Sequence, residues 1–230
     1  MSAIKLLLRC FVSLIVVASS AANALEVRFL AWDEPTAARQ VSVAGGQGEK
    51  AIKGLHPLQR TGAMAAALAE GNLTLRALDR KDAAGKAVNF TVKLGDAMTQ
   101  PLVLLLPDAK AASGLRGFAI EDDSTSFPWG TFRILNATGK SLEVVLGTIR
   151  KHLPPAWQAV DLRPGGDKAL PVSLSSTDAP RKPLYTSVWK SEDDVRRLVF
   201  VIPGTDTRLG PLALKVIPED RQSLAVTEKP

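Results

Sequence analysis

Leu102-Val103-Leu104-Leu105-Leu106 is a continuous apolar run stopped by Pro107-Asp108. Such a run suits a strand buried on both faces. Outward from it, other segments alternate apolar and polar residues, the mark of a strand with one wet face. Leu25-Glu26-Val27-Arg28-Phe29-Leu30, Leu73-Thr74-Leu75-Arg76-Ala77-Leu78 and Val88-Asn89-Phe90-Thr91-Val92-Lys93-Leu94 all do so. Helix is scarce: Thr61 to Glu70 alone has helical propensity, and it reads as a short crossing helix or an alanine-rich strand. The chain is expected to be all-β.

A second series of strands follows residue 126. Phe132-Arg133-Ile134-Leu135-Asn136 and Leu142-Glu143-Val144-Val145-Leu146 flank Thr138-Gly139-Lys140, a β-hairpin signal in which Gly139 supplies the positive φ of a tight turn. Leu184 to Trp189, Leu198 to Ile202 and Leu212 to Ile217 complete the series. The two series resemble each other. Val27 to Leu30 aligns with Phe132 to Leu135 at an offset of 105, and Leu102 to Pro107 aligns with Leu198 to Pro203 at an offset of 96. Repeats near this length, built of short strands, suit two tandem immunoglobulin-like β-sandwich domains. The expected boundaries are a first domain over 25–108, a linker over 109–117, a second domain over 118–217 and a flexible tail over 218–230.

The first 24 residues read as a secretory signal. Lys5 and Arg9 precede an apolar core from Cys10 to Ala18, and Ala22-Asn23-Ala24 offers the small residues a signal peptidase accepts, with cleavage before Leu25. About nine apolar residues fall short of the roughly 20 that a spanning helix needs. Cleavage removes two basic residues and no acidic one, so the formal charge falls from +6 to +4 and the length from 230 to 206. The single cysteine, Cys10, leaves as well, which excludes a disulfide, a thiol nucleophile or a cysteine metal ligand in the mature chain. The expected location is the periplasm or the exterior.

The stretch from Glu121 to Lys140, with Glu121-Asp122-Asp123, Phe127-Pro128-Trp129-Gly130 and Asn136-Ala137-Thr138-Gly139-Lys140, resembles the centre of a group of uncharacterised exported bacterial β-sandwich proteins. The resemblance covers about the middle third of the chain. It implies export and a sandwich, and it brings no activity and no functional residue.

Familiar catalytic signatures are missing. Ala137-Thr138-Gly139-Lys140-Ser141 resembles the end of a P-loop, but Ile134 stands where its first glycine belongs, and Leu142 to Leu146 reads as strand rather than helix. There is no Gly-x-Ser-x-Gly elbow and no His-Glu-x-x-His. His56 and His152 lie beside prolines without a second ligand at metal spacing, and His152 with Asp161 is the pair an enzyme would have to use. Glu121, Asp122 and Asp123, with Ser124 to Ser126, offer oxygen ligands of the kind calcium takes, although a solvated interdomain loop explains them as well. Ser191-Glu192-Asp193-Asp194 with Arg196 and Arg197 reads as an exposed hairpin tip.

Four tryptophans, Trp32, Trp129, Trp157 and Trp189, carry the binding hypothesis. Trp32, Trp129 and Trp189 are the candidate ligand-binding residues, since exposed aromatics can stack on sugar rings, while a core role competes for each. Basic residues are spread rather than clustered, so nucleic acid is not an expected partner. The expected function is a non-catalytic binding, adaptor or structural module of the bacterial envelope, needing no cofactor or metal. Its partner would be an envelope protein or polysaccharide, without stable membrane insertion after cleavage. A carbohydrate-binding protein or a periplasmic hydrolase is the alternative.

Overall fold

Alternate residues of the long apolar strands face different cores, and this two-sided burial organises the chain. The computed structural model describes residues 24–44, 48–206 and 208–227; the expected signal segment, residues 1–24, lies outside them except for its last residue, Ala24. The protein is all-β.

The first half contains β1 (Ala24–Ala31), a short helix α1 (Glu34–Ala37), β2 (Val41–Val43), β3 (Lys50–Ala51), β4 (Met64–Ala69), β5 (Asn72–Lys81), β6 (Ala87–Lys93), β7 (Pro101–Pro107) and β8 (Leu115–Glu121). They form one eight-stranded sheet in the order β3-β2-β5-β4-β1-β7-β8, with β6 on the other side of β5. The alanine-rich segment is therefore a strand, held antiparallel to β1 and β5. Leu115–Glu121, which spans the expected linker and the first residues of the expected second domain, pairs antiparallel with β7. The sheet curls until β8 meets β6. A Cβ on Gly117 would sit 2.2 Å from Val92 Cγ2, so only glycine fits there.

The second half contains β9 (Phe132–Asn136), β10 (Leu142–Leu146), β11 (Ile149–Leu153), β12 (Ala159–Leu162), β13 (Lys168–Ser176), β14 (Pro183–Ser191), β15 (Val195–Pro203) and β16 (Leu212–Asp220), then α2 (Arg221–Thr227). They form two four-stranded sheets, β11-β10-β13-β14 and β12-β9-β15-β16. The expected hairpin across Thr138-Gly139-Lys140 is corrected here. Gly139 does take a positive φ of 73°, but β9 and β10 belong to different sheets. Buried Asn136 directs the crossing. Its Nδ2 donates to the carbonyls of Lys140 (2.7 Å) and Leu153 (3.1 Å), and its Oδ1 accepts from the Thr138 amide (3.0 Å). Likewise Ser191 to Arg197 is not a hairpin tip, because β14 and β15 lie in different sheets and Ser191 and Arg196 are buried. Residues 218–220, expected in a frayed tail, complete β16, and Glu219 is buried.

Three hydrophobic clusters follow from the alternation. Val27, Phe29, Val103 and Leu105 enter a core inside the first sheet, and Phe132, Ile134, Val199 and Val201 enter one between the two later sheets. The intervening residues Leu30, Leu102, Leu104 and Leu106 meet Leu135, Leu198, Phe200 and Ile217 in a third. The strands β1, β7, β9 and β15 are thus buried on both faces, as the run at Leu102–Leu106 predicts. The two halves do not merely adjoin; they share a core.

Truncating Phe200 to alanine should cost about 3–5 kcal/mol, the usual range for a buried aromatic. Chemical denaturation followed by tryptophan fluorescence should show both halves of the wild type unfolding in one transition. Two well-separated transitions would contradict a shared core.

Candidate functional site

Sheet edges are where a β-protein can take another chain, because an edge strand carries a row of unpaired amides and carbonyls. Two such edges, β14 and β16, meet at one groove, which Val188 of β14 and Val216 of β16 both line. β14 pairs with β13 from Lys168↔Ser191 to Ser175↔Pro183, and among the described residues no strand pairs with its other side. β11, the opposite edge of that sheet, exposes Arg150, Lys151 and His152, charged or polar residues that deter pairing. The middle of β14 differs: Thr186, Ser187 and Val188 are exposed and uncharged, and Val188 is 65% exposed.

The groove, about 210 Å³ in volume, runs beside this edge. Phe132, Val188, Trp189, Val199 and Val216 line it together with Lys190 and Arg197, and Phe132 and Val199 are buried. Trp189 stacks on Phe132 with ring centroids 5.3 Å apart and planes 26° from parallel, and its Nε1 donates to the Tyr185 hydroxyl at 3.4 Å. The Arg197 guanidinium covers Phe132 at 5.3 Å. Glu192 pairs with both Arg197 and Lys190. The hydrogen bonds from Lys190 and then Arg197 hold its carboxyl below the ordinary range.

The other candidate tryptophans lie elsewhere. Trp32 packs at the end of the shared core, 5.5 Å from Phe200 and 5.6 Å from Trp157. Trp129 lies 4.9 Å from the Arg196 guanidinium and 5.4 Å from that of Arg221. Among the described residues no ring contact joins any two of Trp32, Trp129 and Trp189. Lys215 Nζ sits 5.9 Å from the Trp32 ring, and its partial burial lowers its pKa.

The most concentrated chemistry is a charged seam that continues the shared core. Asp122, fully buried, takes Arg60 through two hydrogen bonds of 2.9 and 3.0 Å and also pairs with Arg28. Glu219 takes Arg28 at 2.5 Å and Arg196 at 2.6 Å. Arg196 also donates to the carbonyls of Asp122 and Phe127, each at 2.9 Å. Next to it, Arg133 grips Asp161 at 2.8 and 2.7 Å, and the Phe127 ring lies against both Arg133 and Arg196. The geometry follows from parity: Arg28 stands two residues before Leu30, Arg196 two before Leu198, and Glu219 two after Ile217, so all project from the face that forms the shared core.

The acidic run is therefore no solvated loop. Asp122 enters the seam. Glu121 turns the other way and accepts the amides of Thr99 (2.7 Å) and Gln100 (3.0 Å). Asp123 caps its own turn through the amides of Thr125 (2.7 Å) and Ser126 (3.0 Å). The three carboxylates diverge, and among the described residues no group of three acidic, histidine or cysteine side chains is placed to hold a metal ion. Burial opposes ionisation of Asp122, and the charges of Arg60 and Arg28 outweigh it, so its carboxyl stays below the ordinary range. At Asp123 burial is outweighed by the hydrogen bonds from Ser126 and Thr125, which bring the carboxyl to about 2.

The histidines are not brought to a common site. His56 Nδ1 accepts the Leu58 amide at 3.0 Å. His152 is exposed on β11, and both oxygens of Asp161 are taken by Arg133 rather than by His152. Sequence reading set buried Arg196 at an exposed hairpin tip and gave no site role to Arg28, Arg60 or Glu219, although charges set at the parity of an apolar face were a usable signal. Among the described residues no helix is long and apolar enough to cross a membrane. No family model matches the chain, and no curated protein matches it.

Asp122→Asn should cost about 3–5 kcal/mol, because it leaves buried guanidiniums without their counter-charge; urea unfolding at pH 7 measures this. Asp123 contributes stability above its ordinary 3.8, lost as pH falls through about 2. Wild type should therefore lose stability on acidification from pH 4 to pH 2, and Asp123→Asn should lose measurably less over the same interval.

Proposed function

We propose that this chain is an exported, non-catalytic binding module of the bacterial envelope, and that it takes an extended peptide segment along the free edge of β14. The open edge beside the Trp189 groove carries this reading. Strand addition draws affinity from main-chain hydrogen bonds and specificity from pockets for alternate side chains. Thr186 to Val188 offers the first, and the groove lined by Val188, Trp189 and Val216 offers the second. Export rests on the leader-like first 24 residues, with cleavage after Ala24.

The finer architecture we infer is a tandem pair of immunoglobulin-like sandwiches, resembling uncharacterised exported β-sandwich proteins at Glu121 to Lys140. The pairing registers support a duplication. β1 runs parallel to β7 with Arg28 opposite Leu102, and β9 runs parallel to β15 with Arg133 opposite Leu198. Ile120 lies opposite Leu102 as Ile217 lies opposite Leu198. At the same offset of 97, Asp122 corresponds to Glu219.

Extended peptides selected from a displayed random library against the purified protein should slow amide exchange across residues 183–191. Val188→Glu, at an exposed position, should weaken their binding at least tenfold while leaving the melting temperature unchanged. Protection confined to another segment, or indifference to Val188→Glu, would overturn the edge reading. N-terminal sequencing of the exported protein should begin at Leu25.

A further inference from the structure

The seam carries more positive than negative charge. Three guanidiniums, Arg28, Arg60 and Arg196, meet two carboxylates, Asp122 and Glu219. Both carboxylates are already taken: Asp122 by Arg60 and Arg28, and Glu219 by Arg28 and Arg196. Arg60 Nη1 is left buried with no hydrogen-bond partner, although the Arg60 side chain is only 3% exposed. Buried donors are almost always satisfied, and an orphan asks for a water, an ion or a ligand. An excess buried cation calls for a counter-charge more strongly still.

The seam also opens. Arg60 and Arg28, the latter 16% exposed, line a cleft of about 500 Å³ together with Gln59, Thr61 and Gly62. Gln59 is exposed, and its carboxamide has no hydrogen-bond partner among the described residues. Two acidic residues share the lining: Glu219, already held by Arg28 and Arg196, and Asp220, which is exposed to water and accepts the Gln222 amide at 2.8 Å. The repulsion of Asp220 is screened by solvent in a way that the buried excess charge is not.

We propose that this cleft binds a small oxyanion, a carboxylate or a phosphate, against Arg28 and Arg60, with Gln59 as a neutral donor at the rim. Guanidinium forks match the planar, paired oxygens of either group. The site is separate from the β14 edge and stands whether or not that edge takes a peptide.

The test is calorimetric titration of the full chain with sodium phosphate and, separately, sodium acetate, at ionic strength held constant with sodium chloride. Amide shifts would map the site. One saturable event per chain, shifting residues 59–62 and Arg28, is expected for at least one anion. Phosphate alone would assign a phosphate ligand, acetate alone a carboxylate, and both a general oxyanion site. Gln59→Glu, an exposed change that leaves the seam intact, should weaken the binding at least tenfold. Binding of neither anion, or equal binding by wild type and Gln59→Glu, would overturn the proposal.

Discussion

Burial of β1, β7, β9 and β15 on both faces is the constraint from which the rest of the architecture follows. Each strand gives one parity to the core of its own half and the other to the layer between the halves. A strand covered twice has no solvent face on which to place polar side chains. The few that occur must be neutralised where they stand. Arg28, Arg133 and Arg196 are such residues, and their partners come from elsewhere: Asp122 after β8, Glu219 in β16 and Asp161 in β12. The charged seam is thus the polar end of an apolar layer. It also specifies register, because a slip of one residue would send Arg28 or Arg196 into a dry core and expose its carboxylate partners unpaired.

The same constraint separates the interior from the places left for binding. Central strands are fully used, so a partner would have to meet the edges or the ends of the seam. β14 is long, and its middle is uncharged and flanked by a groove of five apolar residues with Lys190 and Arg197. β11 is short and bristles with charge. The contrast between two edges of one sheet is chemical, and it concerns which of them tolerates a neighbour.

Much of this was legible in the sequence. The run at Leu102 to Leu106 announced two-sided burial, and period-two alternation placed β1, β5 and β6, while β2, β3, β8, β11, β12 and β13 gave no such signal. Partners were not legible. Local chemistry around Thr138-Gly139-Lys140 is that of a tight turn whether the flanking strands pair or diverge into two sheets. What separates them is the side chain of Asn136, reaching Lys140 and Leu153. Glu121-Asp122-Asp123 misled for a similar reason: a run of acids in sequence suggests a wet loop, but β8 ends there and turns each carboxylate toward a different partner. The tryptophans were visible as residues, whereas their three separate settings depended on contacts between distant strands. Trp189 meets Phe132, 57 positions away by number, through sheet packing alone.

The ion pair between Arg28 and Glu219 joins residues 191 positions apart. During synthesis the first strand is made long before the strand that completes its seam. Until β15 and β16 emerge, the faces bearing Leu30, Leu102 and Leu104 lack Leu198, Phe200 and Ile217, and a nascent chain stalled before residue 195 would present a part-covered apolar sheet to its surroundings. Closure of the layer is an event of the last fifth of the chain. The opening strands depend on being kept apart from other surfaces until then.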